Sequence, residues 1–357
     1  MDAAEHFALL ALHAAPGLGP KRIQRLLAVA GSARAVLQDP TAAGCAVSPR
    51  ILRMPERGFL ERLAAEQELC AKESGARILA LGSWHYPEAF HDLQEPPPIV
   101  HVLGNADLLA GRRARTAVIG ARACTPYGRT QAVRFGQGLA YAGEILVSGA
   151  ARGIDTLAMQ GALEAEGPVI AVLGSGLDRP YPKESIGMLE QLLAQGGAVV
   201  SEFPYGTEPR AGHFPRRNRL IAALGRATLV IQATNKSGTM NTVDWALGMG
   251  REVFALPGPV DDVACTGTNR MLQEGAGIAL GPEQMLCDLD RCTSPEDLGE
   301  EHALLGLLLQ GDADASQLAQ SSGMSEDQVR LEITDLELHG RVIRLPSGAY
   351  HRCGPRP

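Results

Sequence analysis

The chain has 357 residues, 45% hydrophobic and 20% charged, with a formal charge of −7. That balance excludes a disordered or low-complexity polymer, and the length allows two or three domains with a substantial core. No apolar run approaches the roughly 18 residues of a membrane-spanning helix, and MDAAEHFALLALH has no basic stretch or cleavage site, so a cytoplasmic protein with no membrane partner is expected.

Residues 1–94 read as short helices broken by Gly and Pro, a small helical domain that ends in a linker. In PGLGPKRIQRLLAVAG the glycines at 17 and 19 make a tight turn, and Pro20 suits the first position of a helix. Ile23, Leu26 and Leu27 face one way while Lys21, Arg22 and Arg25 face another. The segment resembles a helix-hairpin-helix or SAM-like unit, whose turn amides approach a phosphate. Gly17, Gly19, Lys21 and Arg22 are therefore candidate phosphate contacts. The alternative is a helical domain that only packs.

From residue 95 the pattern changes. EPPPIVHVLG leads out of consecutive prolines into a strand. Short β-branched runs then alternate with amphipathic helices through residue 288: TAVIG, EILVSG, PVIAVLGSG, AVVSEF, TLVIQA and EVFALPG are strands with their loops. Helices are expected over 127–142, 154–166, 184–195, 217–224 and 239–249. Such alternation predicts an α/β domain, a Rossmann-like and mostly parallel sheet with helices on both faces. The acidic DRCTSPEDLGEE separates a last domain over 300–353, read as three helices and two short strands in winged-helix order. Its final helix carries Glu326, Asp327, Glu332, Asp335 and Glu337, which favours a protein-binding or structural role over insertion into a DNA groove.

Charge is unevenly spread. Arg112, Arg113, Arg115, Arg122, Arg129 and Arg134 fall in a stretch without a single acid, whereas the acid concentrates beyond Pro282. Seven cysteines (Cys45, Cys70, Cys124, Cys265, Cys287, Cys292 and Cys353) form no CxxC pair, which suits reduced thiols and offers no zinc site.

Ligands of open parallel sheets gather at the carboxyl ends of the strands. The loops expected there repeat glycine (Gly120, Gly149, Gly238) and basic residues (Arg122, Arg152, Arg179, Lys183, Arg210, Arg216, Arg217, Lys236). Tyr181, Phe203, Tyr205 and Phe214 are interleaved with them, although only 4% of the chain is aromatic. Cations beside rings suit a groove for single-stranded nucleic acid. His213 reads as a rim or hydrogen-bonding residue, Asp155 as a loop-orienting carboxylate, and Ser237-Gly238 as an anion site or a helix cap. No dinucleotide or P-loop fingerprint and no nucleophile–base pair is present, so neither a cofactor nor a metal is expected.

Taken in series, VIGARACTPYG, LVSGAARGIDTLAMQGAL, VIAVLGSGLDRPYPKES, SEFPYGTEP, FPRRNRLIAAL and GREVFALPGP resemble the DNA-processing protein A family (DprA, also called Smf) over about residues 100 to 280. The resemblance implies a non-catalytic, homodimeric single-stranded DNA binder that protects incoming strands in natural transformation and helps load the RecA recombinase. It assigns strand contacts to Arg122, Lys183, Phe214, Arg216, Arg217 and Asn218. Gly120, Gly149, Arg152, Arg210, His213, Ser237 and Gly238 complete the candidate groove, and Met271, Leu272 and Leu280 are apolar candidates for a dimer surface. The competing expectation is an enzyme of the phosphoribohydrolase (lysine decarboxylase-like) class, with Asp244 as its acidic residue.

Overall fold

The computed structural model describes residues 1–40, 43, 55–110, 113–292, 303–308, 313–338, 342–345 and 348–352. Cys45, Arg112, Cys353 and most of the acidic linker after residue 290 lie outside the described residues. The chain forms two compact units, Met1–Met285 and Leu286–Pro357.

The first unit opens with four helices, α1 (Ala3–Ala14), α2 (Pro20–Ala30), α3 (Ala33–Gln38) and α4 (Arg57–Ser74). Their leucines and alanines close a core that includes Leu10, Leu12, Ile23, Leu26 and Leu60, and this core continues onto Ala80 and Ile99 of the first two strands. Each such large apolar side chain taken fully out of water contributes about 1.5–3 kcal/mol, which is what holds short helices in place. The sheet begins before the boundary expected at residue 94, because β1 (Arg77–Ala80) already pairs antiparallel with β2 (Ile99–Gly104). Helix α4 is further stitched to the sheet by Gln67, which accepts from the Tyr205 amide at 2.7 Å, and by Ser74 on the Tyr205 hydroxyl at 2.7 Å.

The sheet has nine strands in the order β1-β2-β6-β5-β4-β3-β7-β8-β9. The remaining strands are β3 (Arg115–Ile119), β4 (Ile145–Ser148), β5 (Val169–Leu173), β6 (Ala198–Ser201), β7 (Ala227–Val230), β8 (Glu252–Ala255) and β9 (Gly277–Ile278). Strands β3 to β9 pair in parallel, and β2 joins β6 antiparallel. The expected mostly parallel Rossmann-like sheet is therefore what the chain forms. Helices α5 (Pro126–Tyr141) and α6 (Ile154–Glu164) pack together, as do α8 (His213–Leu224) and α9 (Thr239–Gly248); α7 (Ile186–Ala194) and α10 (Thr266–Gln273) complete the set. Ala117, Ile119, Ile145, Val147, Ile170 and Val172 share a core with Leu220, Leu224 and Val243. The alternate residues Val118, Leu146 and Ala171 are equally buried, as a sheet covered on both faces requires. At the amino ends of the central strands, buried Glu144 accepts from Arg226 at 2.5 Å and from the Thr116 hydroxyl at 2.6 Å, tying the starts of β3, β4 and β7 together.

A buried histidine pair lies where the helices meet the sheet. His13 of α1 and His101 of β2 stand 6.0 Å apart, with Tyr205 edge-on to His101 at 5.3 Å. Neither His101 nitrogen has a hydrogen-bond partner. Burial lowers both imidazoles, His101 from 6.5 to about 4, so both are neutral in the folded chain at pH 7. A depressed folded pKa means that the unfolded chain takes up the proton first. Stability is thus fully present above pH 6.5 and is lost as pH falls from there toward 4. The unfolding free energy from urea titration should fall between pH 7 and pH 5 by about 2 kcal/mol for His101, with His13 adding in the same direction. His101→Phe should flatten that slope, and an unchanged slope in the variant would contradict this assignment.

Downstream of α11 (Pro282–Cys292), the second unit contains α12 (Ala303–Leu308), α13 (Ala315–Ser322) and α14 (Glu326–Leu338), followed by an antiparallel pair, β10 (Val342–Arg344) and β11 (Tyr350–Arg352). Leu304, Leu308, Leu318, Val329, Ile333, Leu336, Val342 and Tyr350 form its core. Asp314 and Gln317 build a capping box at α13, and Glu326 of α14 bonds Ser316 at 2.5 Å and pairs with Arg330 at 3.3 Å.

Candidate nucleic-acid interface

The chain lays down β3 through β6 outward on one side and then returns to add β7 beside β3. The loops after β3 and β7 therefore flank a switch-point crevice, the usual ligand position of such sheets. Here the crevice is bridged by a side chain of the chain itself. Gln232, just past β7, accepts from the Thr125 amide at 2.9 Å and donates to its hydroxyl at 2.9 Å, across the start of α5. The loops after β3, β4 and β5 instead build a crest beside it.

Phe214 forms the centre of this crest. Its ring lies over Gly174 at the end of β5, where a Cβ would come within 3.0 Å of it. Tyr181, 43% exposed, stands 5.8 Å away. The Arg122 guanidinium sits 5.5 Å above the Phe214 ring, within cation–π range, and is exposed. Lys183 is exposed at the start of a short 3-10 turn, Lys183–Ser185. Among the described residues no carboxylate pairs with Arg122, Lys183 or Arg210, which leaves these cations available to an anion. Arg152 is exposed but holds Glu184 at 2.8 Å, beside a cavity of about 420 Å³ lined by Thr156, Ser185 and Met188.

Helix α8 starts at His213, four residues earlier than expected. Pro215 falls in its first turn, where the missing N–H has no intrahelical partner to lose. The whole FPRRN run is consequently helical and its side chains point in different directions. This corrects the expected role of Arg217. Rather than facing a phosphate it is 4% exposed, donating to the Gly149 carbonyl at 2.6 Å, to the Val172 carbonyl and to Asn218 Oδ1 at 3.2 Å. Burial pulls its guanidinium down to about 10, partly offset by Asp155. Gly149 is likewise enclosed, since a Cβ there would strike the Arg217 guanidinium at 2.7 Å. Its amide donates to Asp155, which also accepts from Ala151. Asp155 thus orients the β4 loop, as the sequence suggested, and burial raises its carboxyl above the usual range. A Cβ on Gly120 would fall 2.7 Å from the Ile154 side chain, so this glycine too serves close packing.

The other candidates are divided between two places. Arg216 turns away from the crest to Glu202 at 3.0 Å and covers the buried Phe203 ring at 5.0 Å. His213 stacks on the same ring at 4.4 Å, half-buried, with its imidazole lowered chiefly by burial. Ser237 accepts from the Thr239 amide at 3.2 Å at the start of α9, and Gly238 beside it is exposed. Glu202, fully buried and holding both Arg216 and Arg219, is absent from the sequence-derived candidates; an acid immediately after a strand of buried residues was the available signal. Among the dimer-surface candidates Met271 is buried in the sheet core and Leu272 partly so, whereas Leu280 is 58% exposed. Among the described residues no helix is long and apolar enough to cross a membrane.

These features define an open α/β protein whose strand-end loops carry unpaired cations and half-exposed rings. The sequence model of the DNA recombination-mediator protein A family matches residues 77–290, and the chain belongs to that family. Protein Smf of Escherichia coli K12 is 34% identical over 315 residues, 83% of each chain. DNA processing protein DprA of Streptococcus pneumoniae is 37% identical over 205 residues, 57% of this chain and 71% of that one. An X-ray structure of the S. pneumoniae protein superposes with a TM-score of 0.65 at 29% identity, covering 80% of this chain and 97% of that one. A structure of DNA processing protein A from Helicobacter pylori, described for its single-stranded DNA binding mode, gives a TM-score of 0.54 at 30% identity over 61% of this chain and 98% of that one.

Proposed function

We propose that the chain binds single-stranded DNA along the Arg122–Phe214 crest. The observation that carries this is the exposed Arg122 guanidinium, free of any carboxylate among the described residues, set 5.5 Å over a ring that stands 5.8 Å from Tyr181. A phosphate pairs with the guanidinium while a neighbouring base stacks on the rings, a combination that needs no particular sequence. Lys183 and Arg210 extend the positive track, and Arg152 joins it by exchanging Glu184 for phosphate. The Ser237-Gly238 turn, which follows β7 beside β3, is a further candidate contact. Support also comes from family membership and from the H. pylori relative described for single-stranded DNA binding.

On the family's description as recombination mediators, the finer role we propose is a non-catalytic cytoplasmic homodimer. It shields incoming strands during natural transformation and delivers them to the RecA recombinase, with exposed Leu280 near the dimer surface and the last unit serving as a winged helix. The test of the crest is Lys183→Glu. Lys183 is exposed and outside the core, so the fold should be unaffected while affinity for a labelled single strand falls about fivefold to tenfold by anisotropy. Native affinity in a normally folded variant would remove Lys183 from the track. The enzymatic alternative rests on Asp244, an exposed residue of α9, and predicts release of the base from nucleoside monophosphates, lost in Asp244→Asn.

A further inference from the structure

Helix α8 divides its arginines between two faces. Phe214 and Arg217 serve the crest side. Arg216 and Arg219, one turn apart, face the turn that precedes α2. With Gly17, Lys21, Arg22 and Glu95 they line a cavity of about 390 Å³, which is large enough for a phosphate group and part of a sugar.

The charges around this cavity do not balance. Four cations (Lys21, Arg22, Arg216, Arg219) meet two carboxylates, Glu95 and the buried Glu202. Arg219 donates to Glu202 at 2.5 Å and to the Glu95 carbonyl at 2.9 Å. Arg216 gives one nitrogen to Glu202 at 3.0 Å, while its buried Nε has no partner. Lys21 lies 3.6 Å from Glu95 with its side chain 64% exposed. Arg22 uses one nitrogen to hold the Gly17 carbonyl at 2.7 Å, fixing a turn that Gly17 makes at φ +79°, and is otherwise exposed. Donors from the helical region and from the sheet thus converge on one cavity with positive charge in excess, the chemistry that takes a phosphate.

We propose that this cavity is a second phosphodiester subsite, occupied by the strand as it runs from the Arg122–Phe214 crest past the start of α8 to the Gly17–Arg22 turn. The proposal rests on the crest reading and extends it: the helical region becomes part of the binding track, and a long strand touches more phosphates than a short one. Glu95, ion-paired with Lys21, is then the group the phosphate displaces.

The test uses the full chain and labelled oligothymidylates of about six and about twenty nucleotides, the shorter spanning only the crest. Lys21→Glu should weaken the longer strand about tenfold and lower its salt slope by about 0.7 for each phosphate it no longer neutralises, with the shorter strand unaffected. Glu95→Gln should tighten the longer strand about twofold to threefold, a gain that misfolding cannot produce. Unchanged binding of the longer strand in both variants overturns the subsite, and so does equal weakening of both strands by Lys21→Glu. Failure of the native chain to bind either strand overturns the crest and this proposal together. Inorganic phosphate at constant ionic strength separates the remaining source. If it binds the native chain and not Lys21→Glu while the longer strand ignores Lys21, the cavity serves free phosphate and the strand proposal fails.

Discussion

Arg217→Ala is expected to destabilise the Met1–Met285 unit by about 3–5 kcal/mol, the cost of deleting one member of a buried charged network. The guanidinium is enclosed between the ends of β4 and β5. Without it the Gly149 and Val172 carbonyls lose a shared donor, and Asp155 loses the cation that offsets its burial. Denaturant titration should show the midpoint falling sharply, and binding of single-stranded DNA should fail only as the crest loops lose their shape. An Arg217→Ala protein of native stability that no longer bound DNA would restore Arg217 as a direct phosphate ligand.

The second large effect concerns binding alone. Arg122→Glu removes a charge-assisted contact and places a carboxylate beside the strand. A loss of about 2–3 kcal/mol is expected, roughly 30- to 150-fold in affinity, together with a salt slope smaller by about 0.7. Phe214→Ala removes a stacking platform, with an expected loss of about 1–3 kcal/mol. Its salt slope should stay unchanged, because no charge is removed. Anisotropy titrations at several salt concentrations separate the two signatures. Identical slopes in native and Arg122→Glu proteins would mean that Arg122 touches no phosphate.

The sheet was legible because its central strands are buried on both faces and read as short unbroken β-branched runs, such as Val169–Leu173. The edges were not. Strand β1 has four residues within a stretch of helical composition, and β9 has two, too few for any periodicity to show. The early start of α8 was hidden by Pro215, a residue that ends helices when it lies inside them but costs nothing in a first turn. Arg217 was obscured for a different reason. An arginine next to other arginines suggests surface, and only the fold shows that two strand-end carbonyls need a donor at that place. Arg122 and Phe214 come within 5.5 Å of each other because Arg122 lies in the loop after β3 and Phe214 opens α8, both at the carboxyl end of the parallel sheet where the sequence pattern places ligand loops. The separation of Arg216 from that group depends on Glu202, whose pull on it could not be inferred without coordinates.

The central claim is that the crest grips a single strand through its phosphates and rings. Fluorescence anisotropy of single-stranded and duplex DNA of equal length, titrated against the native chain across a range of salt, tests it most directly. Tighter binding of the single strand is expected, with log affinity falling by about 0.7 per decade of salt for each phosphate contacted. Weak, equal and salt-insensitive binding of both forms would contradict it.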